Sequence, residues 1–274
     1  MIIFNSKFEI KRGAGHRNII FNSTEDAKKY IRNKDQVYSV NNPETKDAEK
    51  LWAYIRSNNL DCISIPHHPA DKVHACCWET RDQVLEPVVE IFQCRGNAEY
   101  RGAPRMINLD RHVPSENDKG FIDYALRDKK YKLGFIASGD HNNMGVGLAC
   151  VWVKEISRKG ILEAFRNRRV FATTGDQIIM DFRLNGQFQG QTIKGLEKPN
   201  LSYRINAADR IETLDILRNS KVISTIHPEE ATQEMIGEFV DDYYTDEKEV
   251  LYYYIRVIQH NKHIAWSSPI WIDA

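Results

Sequence analysis

The sequence pattern of this chain changes near residue 175, and that change limits the folds open to it. Before this point, short apolar strand patterns alternate with helical patterns, whereas strand patterns and turns follow one another after it. Strand–helix alternation is typical of α/β folds with mostly parallel pairing, in an open sheet or a barrel. The pattern therefore predicts an α/β domain over residues 1–175 and a β-rich domain over residues 176–274.

In the first domain, apolar spacing predicts three buried strands with amphipathic helices between and around them. The strands are predicted at 62–66, 87–93 and 133–137, and the helices at 50–58, 118–130 and 157–168. Ser157 stands where the last helix needs a residue that caps its first N–H groups.

In the second domain, Asn185-Gly186 predicts a hairpin turn between two strands. Strands are predicted at 178–184, 201–207, 213–217, 221–226, 250–259 and 264–272. Together they predict an antiparallel sandwich of about six or seven strands. Tyr252-Tyr253-Tyr254 fits a sugar-stacking patch, but alternating tyrosines on a strand more often serve packing, which is the favoured interpretation.

Composition excludes several classes of protein. The 38 Lys+Arg residues are balanced by 38 Asp+Glu, whereas a general nucleic-acid binder needs a basic excess to displace counterions. No apolar run approaches the roughly 18–20 residues of a membrane span, and the first residues lack the pattern of a signal peptide. The five cysteines are odd in number and irregularly spaced, which predicts free thiols in a reducing cytoplasm.

Residues able to bind a metal lie in or after three of the predicted strands. His67-His68 come after the strand at 62–66, Glu90 lies in the strand at 87–93, which leads to Cys94-Arg95, and Asp140-His141 come after the strand at 133–137. In parallel α/β proteins, the loops after the carboxyl ends of the strands converge on one rim. Imidazole and carboxylate groups are ligands that zinc, manganese and iron accept. The placement predicts a metal site, and the alternative is that the histidines are polar loop residues and Asp140 caps a turn.

Neighbouring residues on an extended strand point to opposite faces, which limits how these pairs can act. One of His67 and His68 is therefore expected to face the site while the other orients it or caps a neighbour. Asp140 and His141 can share a site only if the chain turns there, which Gly139 permits.

Several segments of the chain also resemble a known family. They are GAGHRNIIF (13–21), ISIPHHPA (63–70), EPVVEIFQCRGNAEYRG (86–102), LGFIASGDHNNMGVGLA (133–149), ISRKGILEAFRNRRVFATTG (156–175) and IAWSSPIWI (264–272). They resemble the PHP superfamily, the polymerase-and-histidinol-phosphatase metal-dependent phosphoesterases, in a branch described only as a domain of unknown function. The resemblance implies a distorted β/α barrel with metals at its carboxyl-terminal rim, followed by a small antiparallel β-sandwich.

The resemblance also implies roles for particular residues. The family's glutamate ligand best matches Glu9, its central histidine matches His67 or His68, and its late aspartate–histidine element matches Asp140 and His141. The last two are the expected catalytic residues.

Substrate contacts are expected from a second group of residues. His16 and Arg17 lie in a run typical of the family, where a structural hydrogen bond is an equal alternative for His16. Arg95 and Arg101, together with Arg105, follow the second predicted strand and could bind phosphate oxygens through paired donors. The alternative is that these arginines are solvated loop charges.

One departure from the family pattern bears on activity. The family opens with a strand that carries a His-x-His pair, and nothing in residues 1–8 resembles it. The matched ligands suffice for one metal but not for the two or three that the family uses. The alternatives are that the chain is a fragment, that a partner supplies the missing strands and ligands, or that the chain is a degenerate relative with weak or no catalysis. An incomplete barrel would also expose strand edges, which favours a homo-oligomer or a partner chain that covers the open edge.

The sequence therefore predicts a metal-dependent hydrolase that cleaves a phosphoester of an unknown small molecule with a metal-activated water. The expected cofactor is a divalent Mn, Zn or Fe ion, and neither nucleic acid nor a membrane is expected as a partner. The alternative is a catalytically degenerate binding or assembly module without a full metal site.

Overall fold

The structure is a computed structural model of the 274-residue chain. It describes residues 15–37, 48–72, 75–107, 114, 118–140, 145–195, 198–244 and 251–273. The chain divides into two compact units that are interleaved in the sequence. The first comprises Met1–Ile91, Arg95–Tyr131 and Val153–Arg166, and the second comprises Phe92–Cys94, Lys132–Trp152 and Asn167–Ala274. The predicted domain boundary at residue 175 stays a prediction.

The first unit combines short strands with the helices of the chain. Its strands are β1 (His16–Phe21), β2 (Cys62–His67), β3 (Val88–Gln93, whose last two residues belong to the second unit) and β4 (Gly96–Asn97). Its helices are α1 (Thr24–Val37), α2 (Ala48–Ser57), α3 (Ile122–Arg127) and α4 (Arg158–Arg166), with a 3₁₀ turn at Asp118–Gly120. Ser157 caps α4 as predicted, because its Oγ accepts the N–H of Gly160 at 3.0 Å.

The first two strands run in opposite directions. β1 and β2 pair antiparallel along six residues, from His16 opposite His67 to Phe21 opposite Cys62. A single crossover helix returns a chain parallel to the strand it left. Here two helices, α1 and α2, lie between the strands, so the chain can come back antiparallel. Neither strand β1 nor helix α1 has a counterpart among the predicted elements, which is why the expectation of parallel pairing misses this antiparallel pair.

The expected PHP-type β/α barrel is wrong. Strand content is 41% and helix content 17%, and the described part of the chain forms several largely antiparallel sheets without a barrel. The expected homo-oligomer or partner chain stays a prediction. Among the helices in the described ranges, none is long and apolar enough to cross a membrane.

The second unit consists mainly of strands. They are β5 (Gly134–Ala137), β6 (Leu148–Val151), β7 (Val170–Thr173), β8 (Ile179–Leu184), β9 (Gln187–Phe188), β10 (Thr192–Lys194), β11 (Asn200–Asn206), β12 (Ile211–Arg218), β13 (Lys221–Ile226), β14 (Glu234–Val240), β15 (Leu251–Gln259), β16 (Ile264–Ser267) and β17 (Ile270–Asp273). One sheet has the order β10-β17-β15-β16-β7-β6, with β12 joined to β15 and β13 to β12, and a second has the order β14-β11-β8-β9. Within these two sheets, neighbouring strands are antiparallel except β10 and β17, which are parallel.

An apolar core lies between these two sheets. Alternate residues of β8, Met180, Phe182 and Leu184, are fully buried and pack with inward residues of β15 such as Ile255 and Val257. This period of two is the pattern of strands with one face in a core. The alternation therefore fixes which side chains of the small sheet remain exposed.

Two local predictions for this unit are confirmed. Asn185 and Gly186 both have positive φ, 47° and 79°, as the turn between β8 and β9 requires. Tyr252, Tyr253 and Tyr254 are all 0% exposed, so they pack in the interior and cannot form a sugar-stacking patch.

Asp123, in the first turn of α3, gives a prediction about stability and pH. Burial raises the pKa of its carboxyl to about 6, although Arg127 lies 3.9 Å away. Because the folded pKa lies above the ordinary value of 3.8, stability falls as the pH rises from about 4 to about 6, and the loss persists above that. Asp123→Asn is expected to raise the free energy of unfolding by about 1 kcal/mol at pH 7.5 and to leave it nearly unchanged at pH 4.

Urea unfolding of wild type and variant at the two pH values measures this difference. Asp128→Asn is the matched control, because Asp128 also contacts Arg127 but is 43% exposed. An equal effect of Asp123→Asn at both pH values would contradict the assignment.

Candidate metal centre

The core of the candidate site is a pair of histidines on adjacent strands. His16 begins β1 and His67 ends β2, and the two residues are directly opposite each other in the antiparallel register. Residues opposite each other in such a pair carry their side chains on the same face. Both side chains are buried, so the two imidazoles share a space that excludes bulk water.

A third histidine joins them because the chain leaves the strand conformation. His68 follows β2 with a φ of +37°, so the alternation of faces that governs His67 does not apply to it. Its Nε2 lies 3.0 Å from Nδ1 of His16, and its ring centre lies 4.1 Å from that of His67. Nitrogen ligand atoms of His67 and His68 lie within 4.8 Å of each other. Both members of the pair therefore face the same cluster, rather than only one of them.

A buried carboxylate contacts two of the three histidines. Glu90 lies in the middle of β3 and is 1% exposed. Its Oε2 accepts the backbone N–H of His68 at 2.8 Å and lies 2.7 Å from Nδ1 of His67, in a contact that is close but not a well-aligned hydrogen bond. A buried carboxylate needs such partners, and this one is shared between the two histidines. We name His16, His67, His68 and Glu90 the histidine cluster.

Arg17, the neighbour of His16, lies in a buried ion pair. Its Nε donates to Oε1 of Glu86 at 2.7 Å, and both side chains are at most 1% exposed. Burial lowers the pKa of Arg17, but its interactions with Cys76 and with the carboxylate of Glu86 raise it above the ordinary value, so the guanidinium stays charged. Burial also raises the pKa of the Cys76 thiol to about 12, which keeps it protonated at neutral pH. The predicted contact of Arg17 with substrate stays a prediction.

The other predicted arginines lie in the same unit. Nη1 of Arg95 is 3.5 Å from Oδ2 of Asp71, whose backbone N–H donates to the carbonyl of His68 at 3.1 Å. Arg95 is thus two contacts away from the histidine cluster. Arg101 is more exposed. It forms an ion pair with Asp118, and its guanidinium lies over the ring of Phe121.

Three further ligands are predicted from the sequence. Glu9 and His141 are outside the described residues. Asp140 belongs to the second unit, where it follows β5 with a φ of +63°, so the predicted turn occurs at Asp140 itself. Their roles as ligands and catalytic residues stay predictions. All five cysteines are free thiols, as predicted.

Glu90 is noted in the sequence as a metal-competent residue of a strand but is not among the predicted ligands. The signal that marks it is its position, because an acidic residue inside the apolar strand VVEIF must be buried and must find partners. Its partners are contributed by residues more than 20 positions earlier in the chain, which the strand pattern alone does not specify.

One family model matches part of the chain. Residues 113–205 match the model of a family described as a protein of unknown function, DUF3604. The matched range contains Asp140 and His141 but begins after the histidine cluster, whose last residue in the chain is Glu90.

Similar proteins occur in Chlamydia, and each is described as uncharacterised. The chain is 31% identical to one from Chlamydia muridarum over 249 residues and 30% identical to one from Chlamydia trachomatis over 249 residues. A third, from Chlamydia pneumoniae, is 27% identical over 254 residues. These matches cover 80% of the chain, which spans about 40% of the length of the relatives. No solved structure matches the chain.

These findings correct the resemblance to the PHP superfamily. The matching family model carries no PHP description, the relatives are uncharacterised, and the largely antiparallel sheets are unlike a PHP barrel. The histidine cluster must therefore be interpreted from its own geometry.

Proposed function

We propose that the chain is a metal-dependent hydrolase that binds a divalent cation at the histidine cluster, with phosphoester cleavage as the leading reaction. The observation that carries the proposal is the meeting of three buried imidazoles, with His16 and His68 joined at 3.0 Å and His67 beside them. Histidine is seldom fully buried in groups, since each ring carries two polar nitrogens. A shared cation is the common reason for such a group.

The donor set fits the proposed ion. Neutral imidazole nitrogens suit zinc, manganese and iron, and carboxylate oxygens complete the sites of these metals. Calcium and magnesium prefer sites made of oxygen atoms, which three histidines do not provide. The cluster therefore favours a transition metal, in agreement with the expected Mn, Zn or Fe.

The chain's own residues can support hydrolysis around such an ion. A divalent cation bound here would lower the pKa of a water molecule and polarise the phosphoester. Glu90 holds the backbone of His68 and the ring of His67, which keeps two donors in place. The guanidinium of Arg95 contacts Asp71, whose backbone N–H donates to the carbonyl of His68, and it could pair with non-transferred phosphate oxygens. The free thiols favour a cytoplasmic location as part of the proposal.

Metal analysis of the purified protein tests the proposal. After loading with Mn²⁺, Zn²⁺ or Fe²⁺ and removal of excess ion, about one ion per chain is expected, and a chelator should remove both the ion and any phosphoesterase activity. Assays should use a panel of phosphomonoesters and phosphodiesters. Protein that retains no transition metal above trace would overturn the proposal.

A second candidate function rests on the burial of the site. The three histidine side chains are only 1–3% exposed, and closed sites of this kind commonly hold structural metals. The chain would then be a non-catalytic binding or assembly module. In that case the chelator lowers the melting temperature strongly, while no phosphoester in the panel is hydrolysed by the metal-loaded protein.

A further inference from the structure

We propose that Glu90 is the positioning residue of the histidine cluster, fixing the proton of His67 on Nδ1 so that Nε2 is the nitrogen offered to a cation. This inference rests on the proposed metal site. It assigns Glu90 a role that no sequence motif in the chain indicates.

The first step is the contact with His67. Nδ1 of the ring lies 2.7 Å from Oε2 of Glu90, and both side chains are at most 2% exposed. A nitrogen lone pair and a carboxylate oxygen would repel each other at this distance, so a proton lies between the two atoms, and we infer that it is on Nδ1. The remaining lone pair of the neutral ring is then on Nε2, and a carboxylate behind a metal-bound histidine acts in this way in many metal sites.

The second step is the contact with the backbone of His68. The same oxygen of Glu90 accepts the N–H of His68 at 2.8 Å. His68 has a φ of +37°, a conformation that costs energy for a residue with a Cβ atom and persists only where surrounding contacts hold it. The hydrogen bond to the Glu90 carboxylate offsets the energetic cost of the positive φ at His68, where the chain turns the ring toward His16.

The third step is the rigidity of the support. Glu90 stands in a strand whose six residues are all buried, with Val89 and Ile91 both 0% exposed. The Glu90 carboxylate is already fixed by its buried strand. It can therefore hold the backbone of His68 and the ring of His67 with no further loss of its own conformational freedom when an ion binds. One oxygen atom therefore sets both the ring orientation of His67 and the turn at His68.

The experiment compares Glu90→Gln with wild type in two measurements. In metal-free protein labelled with ¹⁵N-histidine, NMR shifts of the ring nitrogens report which nitrogen of His67 is protonated. In calorimetric titration with Zn²⁺ or Mn²⁺, the variant is expected to bind about 10–100-fold more weakly. Glu90→Asp keeps the charge and is expected to recover part of the affinity.

Asp215→Asn serves as the control for general destabilisation. Asp215 is a buried carboxylate of the second unit that binds Arg256 through Nε at 3.1 Å and Nη2 at 2.8 Å. Its loss should lower stability without changing the His67 signals or the metal affinity. Circular dichroism verifies that all variants are folded.

A change of the His67 protonation pattern in Glu90→Gln, together with the loss of affinity, supports the inference. An unchanged pattern, or an affinity within threefold of wild type, overturns it. If wild-type protein binds no cation, the proposed function fails, whereas the metal-free NMR measurement still decides whether Glu90 fixes His67.

Discussion

Replacing His68 with asparagine is expected to lower the affinity of the chain for Zn²⁺ or Mn²⁺ by about 100-fold or more. Changing a residue that only orients a metal ligand costs about 10–100-fold, so loss of a ligand should reach at least the upper end of that range. A 100-fold loss corresponds to about 2.7 kcal/mol of binding free energy. Calorimetric titration of metal-free protein measures the affinity directly.

Asparagine is the appropriate replacement because of the backbone at this position. His68 has a φ of +37°, which asparagine tolerates better than alanine does. The N–H that donates to Glu90 is retained in the variant, so the turn can keep its shape. The substitution thus removes the imidazole and leaves the support of the site in place.

An exposed histidine provides the control. His227 lies at the surface of the second unit, and His227→Asn should leave the affinity unchanged. If His68→Asn binds the ion within threefold of wild type while remaining folded, His68 is not a ligand and the histidine cluster is not the metal site.

A parallel measurement separates the two proposed functions. In a catalytic site, His68→Asn should reduce phosphoester turnover together with metal content. In a structural site, the same variant should lower the melting temperature of the metal-loaded protein toward that of the metal-free wild type, since binding energy then contributes to folding.

The sequence predicts the local elements of the site better than their arrangement. The buried strand that ends at His67 is present as expected, because its run of apolar residues is bounded by turn residues. The expectation that only one of His67 and His68 faces the site assumes that the strand continues through His68. The left-handed backbone of His68 removes that assumption, and a histidine sequence carries no signal for it.

Pairing direction is the main feature of the fold that the sequence does not specify. The alternation of strands and helices predicts a parallel sheet only if one helix lies between successive strands. The antiparallel pairing of β1 with β2 depends on strand β1 and helix α1, and neither is among the predicted elements. Helix α1 is rich in charged residues and has a weak apolar stripe, which explains why the pattern is hard to detect.

Strand β14 illustrates a second limit. It carries Glu234 and Glu238 among its apolar residues and has a glycine at its centre, so it lacks the β-branched and aromatic run typical of a buried strand. It forms an edge of the smaller sheet, where charged residues are common because they discourage further pairing. Edge strands are therefore predicted less well than the central β15, whose apolar run is long.

The burial of Arg17 could be foreseen, but its partner could not. Arg17 alternates with Ile19 and Phe21 on β1, so the period of two places it on the face that packs into the core. A guanidinium there must be paired. The partner, Glu86, lies 69 positions later in the chain, beyond the reach of any local pattern.

Replacing Arg17 with methionine is expected to lower the free energy of unfolding by about 3–5 kcal/mol, because it leaves the carboxylate of Glu86 buried without its counter-charge. Glu86 would keep only a 3.2 Å hydrogen bond from Ser64 and a second oxygen that has no hydrogen-bond partner among the described residues. Urea unfolding at pH 7.5 measures the loss.

The double variant Arg17→Met/Glu86→Leu separates the cost of an unpaired charge from the cost of lost packing. It removes both charges, and replacing a buried ion pair by apolar residues of similar volume is often neutral or stabilising, so most of the loss should be recovered. Arg56→Met is the matched control, since Arg56 pairs with Asp82 but is 54% exposed and should cost at most about 1 kcal/mol. A double variant as unstable as Arg17→Met would mean that the shape of the guanidinium, rather than its charge, supports the strand beside His16. The affinity of the double variant for Zn²⁺ would then also fall, because the position of His16 depends on that strand.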